Sequence, residues 1–180
     1  MNTYIAILRG INVSGKNMIK MPALIKIFET LGLENVKTYV QSGNVIFKSE
    51  SVNPKDLEKL IQEQINKDLG TGIPVIVLES YSILEIRKNN PFTNKQDIDL
   101  TKLHITFLSE EPGMVNIAKI DPAKYMPDEF IIDAKAIYLY CPGGYGNTKL
   151  NNNFFENKLK VIATTRNWNT VNKLVELTEE

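Results

Sequence analysis

The sequence predicts an α+β protein built from two successive ferredoxin-like halves, each with the element order β-α-β-β-α-β. Two observations lead to this prediction. Short apolar runs typical of buried strands alternate with longer segments whose apolar residues recur at helical spacing. The same order of six elements is also met twice, over residues 1–80 and again over residues 81–180, where a further helix ends the chain. We therefore expect a duplication at the level of the fold, with strand order 4-1-3-2 in each half.

The first half contains four predicted strands and two predicted helices. The strands are expected over residues 3–11, 36–41, 45–48 and 73–78. The first helix is expected to begin near Pro22 and to end at Gly32, and the second to open at Pro54 with Asn53 or Ser51 as its cap. Their apolar residues lie at helical spacing: Leu24, Ile25, Phe28, Leu31, Leu57, Leu60, Ile61, Ile65 and Leu69.

The second half repeats this order after a short helix and a long polar stretch, which occupy residues 83–86 and 88–102. Its strands are expected over residues 103–108, 130–133, 136–140 and 161–163, and the middle two form a hairpin. Its helices are expected over residues 115–125, 150–159 and 168–177.

The composition excludes several classes of protein. Lys plus Arg and Asp plus Glu number 21 each, so no global field draws the protein to nucleic acid or to an anionic membrane. The single cysteine, Cys141, excludes an internal disulfide and a cysteine-rich zinc site. The single histidine, His104, has no second histidine or cysteine at ligand spacing. We therefore expect no metal and no cofactor.

No segment of the sequence predicts export or membrane insertion. The first apolar run, residues 4–8, is too short for the core of a signal peptide and is followed by Arg9. No later apolar run approaches the roughly 18 residues that a membrane span needs. We therefore expect a cytoplasmic location and no membrane partner.

The expected topology brings polar, glycine-containing segments together at two places. In the first half, the first and second strands are expected to run parallel, with the third antiparallel between them, so the end of the first strand lies beside the turn that joins the second and third strands. This places residues 9–12 next to residues 41–44. In the second half, the third and fourth strands are parallel, so that residues 143–149 and 164–168 meet at one edge. We therefore expect two clusters of candidate ligand-binding residues.

Three segments carry a family resemblance. They read Leu-Arg-Gly-Ile-Asn-Val at 8–13, Tyr-Val-Gln-Ser-Gly-Asn-Val at 39–45 and Thr-Thr-Arg-Asn-Trp-Asn-Thr-Val at 164–171. With these motifs the chain resembles a bacterial family, domain of unknown function 1697, over nearly its whole length. The resemblance implies a duplicated ferredoxin-like fold. It brings no established activity, so the function has to come from the residues themselves.

Residues 10–17 read Gly-Ile-Asn-Val-Ser-Gly-Lys-Asn, one residue short of the phosphate-loop pattern. Two departures argue against a nucleotide triphosphatase. Asn17 replaces the hydroxyl residue that would hold Mg²⁺, and Pro22 delays the helix. We expect instead that Arg9 and Lys16, with the backbone N–H groups that the glycines expose, hold an anion. The alternative is that Arg9 pairs with a carboxylate and that the glycines serve only the turn.

The segment 164–167 is expected to open the last helix, with Thr165 or Asn167 as its cap. A cation at a helix N-terminus opposes the helix dipole, which suggests a ligand anion beside Arg166. The alternative is an Arg166 side chain that points into solvent. Trp168 shares an apolar face with later residues of this helix and is expected to be a packed core residue.

The function we predict from these clusters is the binding of a small anionic, phosphate-bearing ligand at the loop ends, with no reaction assigned. The residues expected to contact the ligand are Arg9, Gly10, Asn12, Lys16, Gln41, Ser42, Asn44, Tyr145, Lys149, Thr165, Arg166 and Asn167. Two alternatives stay open. One is the binding of RNA or single-stranded nucleic acid through the sheet face, although the returning strand of the first half offers a single stacking aromatic, Phe47. The other is a protein-interaction module without catalysis.

Overall fold

The computed structural model describes all residues, Met1–Glu180, and shows an α+β protein with two four-stranded antiparallel sheets and six α-helices. The residues form two compact units. Unit 1 comprises Met1–Glu85 together with Lys173–Glu180, and unit 2 comprises Ile86–Asn172. Each unit contains one of the two sheets. None of the helices combines the length and the apolar character needed to cross a membrane.

Unit 1 contains the elements of the first sheet. These are β1 (Asn2–Leu8), α1 (Met21–Thr30), β2 (Glu34–Tyr39), β3 (Asn44–Ser49), α2 (Pro54–Leu69) and β4 (Val75–Glu79), and α3 (Ser80–Lys88) follows directly. The strand order is β2-β3-β1-β4, which is the predicted order. Helix α2 begins as its local sequence predicts, because Asn53 Oδ1 accepts a hydrogen bond from the Lys55 N–H at 2.9 Å.

The core of unit 1 lies between one face of this sheet and the two long helices. Strand β1 is central, and its residues Tyr4–Leu8 are fully buried. Because successive side chains of a strand alternate between faces, every second one of them reaches the helices. The buried residues that pack together there include Tyr4, Ala6, Leu8, Leu24, Phe28, Phe47, Leu57 and Ile61.

Unit 2 contains the elements of the second sheet. These are β5 (Leu103–Leu108), α4 (Met114–Ile117), β6 (Glu129–Asp133), β7 (Ala136–Tyr140), α5 (Asn152–Leu159) and β8 (Ala163–Asn167), after which α6 (Trp168–Glu179) ends the chain. The strand order, β6-β7-β5-β8, again has the predicted form. The core on the side of α5 includes Leu108, Ile137, Leu139, Phe155 and Leu159.

A glutamate joins a helix to the last strand of the sheet in each unit. In unit 1, Glu58 of α2 is buried and accepts a hydrogen bond from the Val77 N–H of β4 at 3.0 Å. In unit 2, Glu156 of α5 accepts one from the Ala163 N–H of β8 at 3.1 Å. Each glutamate is the fifth residue of its helix. The same contact therefore recurs at the same place in the element order.

The predicted helix over residues 115–125 is wrong. The structure has a single α-helical turn, Met114–Ile117, and a separate 3-10 turn, Pro122–Tyr125. Pro122 has no backbone N–H to continue a helix, and the Asp121 side chain accepts a hydrogen bond from the Ala123 N–H at 3.1 Å. The aspartate therefore starts a new turn where the apolar spacing predicted one continuous helix.

The last strand was predicted too early, and this changes the position of the motif at 164–167. Strand β8 covers Ala163–Asn167, so Thr164, Thr165 and Arg166 continue the sheet and α6 begins only at Trp168. Thr165 lies opposite Thr106 of β5, and their hydroxyl oxygens are 2.7 Å apart. Threonine is β-branched and suited to such cross-strand pairs.

Candidate ligand-binding site

The segment between β1 and α1 forms a compact loop that closes on itself. The Asn12 N–H donates to the Asn17 carbonyl at 3.1 Å, and the Lys16 N–H donates to the Val13 carbonyl at 2.9 Å. The Asn17 side-chain amide donates to the Gly10 carbonyl at 3.0 Å. These bonds complete the loop before α1 begins at Met21, so its backbone does not lead into a helix as a phosphate loop does.

The Asn12 side chain connects the loop between β1 and α1 to the turn at residues 41–44. Its amide nitrogen donates to the carbonyls of Ile19 at 3.0 Å and Gln41 at 2.7 Å, and its amide oxygen accepts from the Ile19 N–H at 2.8 Å. The backbone of Asn12 is also in the left-handed region, with φ 53°, a conformation that asparagine tolerates better than most residues. The side chain that we predicted as a ligand contact therefore positions the loop and the turn at residues 41–44.

Replacing Asn12 with glycine tests this positioning role. Glycine accepts the left-handed backbone, so the loss comes from the three side-chain hydrogen bonds and is expected to be about 1–3 kcal/mol of unfolding free energy. Urea unfolding followed by circular dichroism measures it. Asn12→Asp is the matched variant: it keeps an acceptor for the Ile19 N–H but has no donor for the two carbonyls. A stability of Asn12→Asp equal to wild type would contradict the role of those two bonds.

The turn between β2 and β3 lies against the end of β1, as predicted. The Leu8 N–H donates to the Gly43 carbonyl at 2.8 Å. Asn44 is fully buried, and its amide donates to the Tyr39 carbonyl at 2.9 Å and to Ser42 Oγ at 3.0 Å. Ser42 and Asn44 thus form part of the turn itself, whereas Gln41 is exposed.

A surface cavity of about 400 Å³ opens beside this junction in unit 1. Its lining residues are Asn12, Met18, Ile19, Lys20, Met21, Pro22 and Gln41. Lys20 is exposed and is the N-cap residue of α1, where its side chain makes no capping hydrogen bond. The cavity lining therefore includes one lysine and one glutamine in addition to mainly apolar residues.

The other two cations of the first cluster lie in the same loop but do not line the cavity. Lys16 is exposed. Arg9 is half-buried, and its backbone N–H donates to the Pro74 carbonyl at 2.9 Å. The predicted contacts of Arg9 and Lys16 with a ligand therefore stay predictions.

The second cluster, in unit 2, is built around Tyr145. Its ring stacks on His104, with ring centroids 4.7 Å apart. Its hydroxyl has hydrogen bonds with the Thr165 side chain and the Asn152 backbone, and burial raises the pKa of Tyr145 while these bonds oppose the rise. Burial also lowers the pKa of His104. The Thr165 hydroxyl in turn donates to Asn152 Oδ1 at 2.7 Å, so this cluster is a connected network.

Arg166 is buried within β8, so the alternative of a solvent-pointing side chain is wrong. One guanidinium nitrogen donates to Thr164 Oγ1 and to the Thr165 carbonyl, both at 2.9 Å. Burial lowers the pKa of Arg166 to about 10, and the neighbouring Tyr145 opposes this change. These contacts give Arg166 a structural role in the strand.

The remaining predicted residues lie at the edges of unit 2. Asn167 caps α6 as predicted, since its Oδ1 accepts from the Thr170 N–H at 2.8 Å. Lys149 is exposed and lines a separate cavity of about 170 Å³.

Cys141 is buried, and burial raises the pKa of its thiol to about 11, so at neutral pH it is a protonated and unreactive thiol.

Of the residues that line the cavity, sequence reasoning included Asn12 and Gln41 among the candidates but not Met18, Lys20 or Met21, and it also missed several members of the Tyr145 network. The signal in the sequence was a short apolar run, interrupted by one lysine, just before Pro22. His104 and Asn152 were also missed, because their approach to Tyr145 depends on where β8 lies.

Comparisons with known proteins agree with this description. A family model described as "Protein of unknown function (DUF1697)" matches residues 1–138. A solved structure, described as that of conserved bacterial protein SP0830 from Streptococcus pneumoniae, superposes with a TM-score of 0.79 at 22% identity, over 100% of this chain and 99% of that one. At this identity the likeness shows a shared fold. The comparison with curated proteins finds no match.

Proposed function

The chain belongs to the DUF1697 family of proteins of unknown function, and on this premise we propose that unit 1 binds a small anionic, phosphate-bearing ligand in the cavity beside Gln41. No reaction is assigned to it. The observation that carries the proposal is the cavity itself, which has a volume of about 400 Å³ and includes Lys20 and Gln41 in an otherwise mainly apolar lining. Ligand pockets commonly have volumes of roughly 300–1,000 Å³ and this mixture of lining residues.

The charges of the loop support an anion as the ligand. Lys20 supplies an ammonium group, which binds phosphate as a point charge with three donors. Arg9 and Lys16 belong to the same loop between β1 and α1, and no carboxylate belongs to the cavity lining. Lys20 therefore offers an anion in this cavity a positive charge, although the whole chain has a formal net charge of zero.

The residues of the second cluster lie outside the cavity in unit 1. Tyr145, Thr165 and Arg166 are engaged with each other and with neighbouring strands, which supports a scaffold role. Contacts from these three residues, and from Lys149 and Asn167, to a ligand stay a prediction. We also propose that each unit is ferredoxin-like and that the two arose by duplication, supported by the equal strand orders.

Burial of the strand residues favours a small ligand over nucleic acid as the partner. Tyr4 and Phe47, the aromatic residues that an RNA-binding sheet face would use for stacking, are fully buried in unit 1. Tyr4 also donates its hydroxyl to the Val52 carbonyl at 3.0 Å. Both rings are thus part of the core that the two helices cover.

A thermal-shift titration with phosphate, pyrophosphate and common nucleotides tests the proposal on wild type and Lys20→Met. Loss of the ammonium is expected to weaken anion binding by about 1.5–3 kcal/mol, roughly 10–150-fold. The variant should fold normally, because it removes a cation that opposes the dipole of α1.

Lys26→Met is the matched control, since Lys26 is an exposed lysine further along the same helix. Its effect on binding is expected to stay within about threefold, as for a screened surface charge. The proposal would be refuted if none of the tested anions stabilised the wild-type protein. Equal losses in the two variants would show a diffuse electrostatic effect and would remove the cavity as the site.

A further inference from the structure

The wall of the unit 1 cavity is more apolar than binding of a bare anion requires. Four lining residues, Met18, Ile19, Met21 and Pro22, have apolar side chains. Met18 is 67% exposed, so its long apolar side chain is accessible to a ligand in this cavity. Methionine side chains are flexible and polarisable, and they adapt to flat or irregular apolar groups.

Exposed apolar residues also continue along the chain from the lining. Val13 follows Asn12 and is 58% exposed, and Val40 precedes Gln41 and is 48% exposed. Val40 is in addition left-handed, with φ 50°, which is a rare conformation for a β-branched residue. A strained valine whose side chain is held in solvent is the kind of feature that accumulates near binding sites.

The size of the cavity points in the same direction. A water molecule takes up about 30 Å³ of the liquid, so a phosphate with five heavy atoms occupies on the order of 100–150 Å³. The cavity has about 400 Å³. A phosphate group is therefore smaller than the cavity, and a larger ligand can also contact the apolar wall.

We infer that the ligand is an amphipathic anion: a phosphate monoester whose phosphate lies at Lys20 and whose apolar or aromatic group lies against Met18, Met21 and Pro22. This inference rests on the proposed function and adds the class of ligand. It distinguishes the site from one for inorganic phosphate or pyrophosphate, which would leave the apolar wall in water.

Methyl phosphate and phenyl phosphate test the inference, since both are monoesters and they differ in the apolar group. Calorimetric titration of wild type is expected to show phenyl phosphate binding at least about tenfold more tightly, because burial of roughly 50–60 Å² of apolar surface is enough for that gain. Met18→Gln should lower the affinity for phenyl phosphate about threefold or more and leave methyl phosphate unchanged. Met114→Gln, at a methionine that is 85% exposed in unit 2, should change neither.

The outcomes separate this inference from the proposed function. Equal affinities of the two esters in wild type, with binding still lost in Lys20→Met, would overturn the amphipathic ligand and leave anion binding intact. Binding of neither ester, together with no response to any anion, would overturn both. Phenyl phosphate binding that Lys20→Met does not weaken, and that benzyl alcohol reproduces, would overturn both as well, since the site would then be a plain apolar one.

Discussion

Replacing Trp168 with alanine is expected to lower the free energy of unfolding by about 3–5 kcal/mol, because truncation of a buried tryptophan removes apolar burial and leaves a cavity. Trp168 is the first residue of α6 and is only 7% exposed. Val171, Leu174 and Val175, which share its face of the helix, are buried as well. The prediction that Trp168 belongs to the core therefore agrees with the structure.

Urea unfolding monitored by circular dichroism measures this loss. Tryptophan fluorescence is unsuitable, because Trp168 is the only tryptophan and the variant lacks its emission. Trp168→Phe is the matched variant and should lose clearly less, because a large ring still fills most of the space. Val115→Ala is a control at a residue that is 76% exposed, where about 0.5 kcal/mol or less is expected. An unchanged midpoint for Trp168→Ala would mean that the indole is not part of the core.

Gly43→Ala is expected to cost about 2–5 kcal/mol, from about 1–2 for a left-handed alanine and about 1–3 for overpacking. Gly43 has φ 86°, and a Cβ atom there would lie 2.8 Å from Ile11 Cδ1 and 2.8 Å from Leu8 Cβ. The turn at 41–44 could avoid these contacts only by moving away from β1, which would break the 2.8 Å hydrogen bond between the Leu8 N–H and the Gly43 carbonyl.

Gly10→Ala separates the two contributions. Gly10 is also left-handed, with φ 70°, but a Cβ atom there would meet nothing within 4 Å. Only the backbone cost of about 1–2 kcal/mol is expected. Stability measurements on both variants should therefore differ by roughly the overpacking contribution. Equal losses would show that the turn yields at no cost and that its close approach to β1 is not important for stability.

Sequence patterns were sufficient to predict the structure where it depends on local residues or on strand order. The start of α2 follows from Asn53 and Pro54, which are neighbours in the chain and act through one capping hydrogen bond. The approach of residues 9–12 to residues 41–44 followed from the predicted order and directions of the strands. These features need no knowledge of which side chains meet across the sheet.

Features that depend on distant partners could not be predicted in this way. The segment Thr164–Thr165 looks like a helix cap locally, yet its place in β8 is decided by pairing with β5, 59 residues earlier in the case of Thr106 and Thr165. The positioning role of Asn12 likewise depends on carbonyl groups at Ile19 and Gln41. A polar side chain in a loop looks the same in sequence whether it binds a ligand or fastens the backbone.

The hydrogen bonds that the two glutamates accept from β4 and β8 bear on aggregation of the protein. Glu58 and Glu156 accept hydrogen bonds from the N–H groups of Val77 and Ala163. These N–H groups belong to β4 and β8, each of which is an outer strand of its sheet. An outer strand with vacant N–H and C=O groups is a template on which foreign strands add, the first step of amyloid growth. At β4 and β8 a carboxylate from the chain's own helix already holds one of these donors, so an incoming strand has to displace a charge-assisted bond and leave a carboxylate beside it. One helix position in each unit thus occupies a donor of an outer strand, and we expect this to disfavour strand addition at β4 and β8.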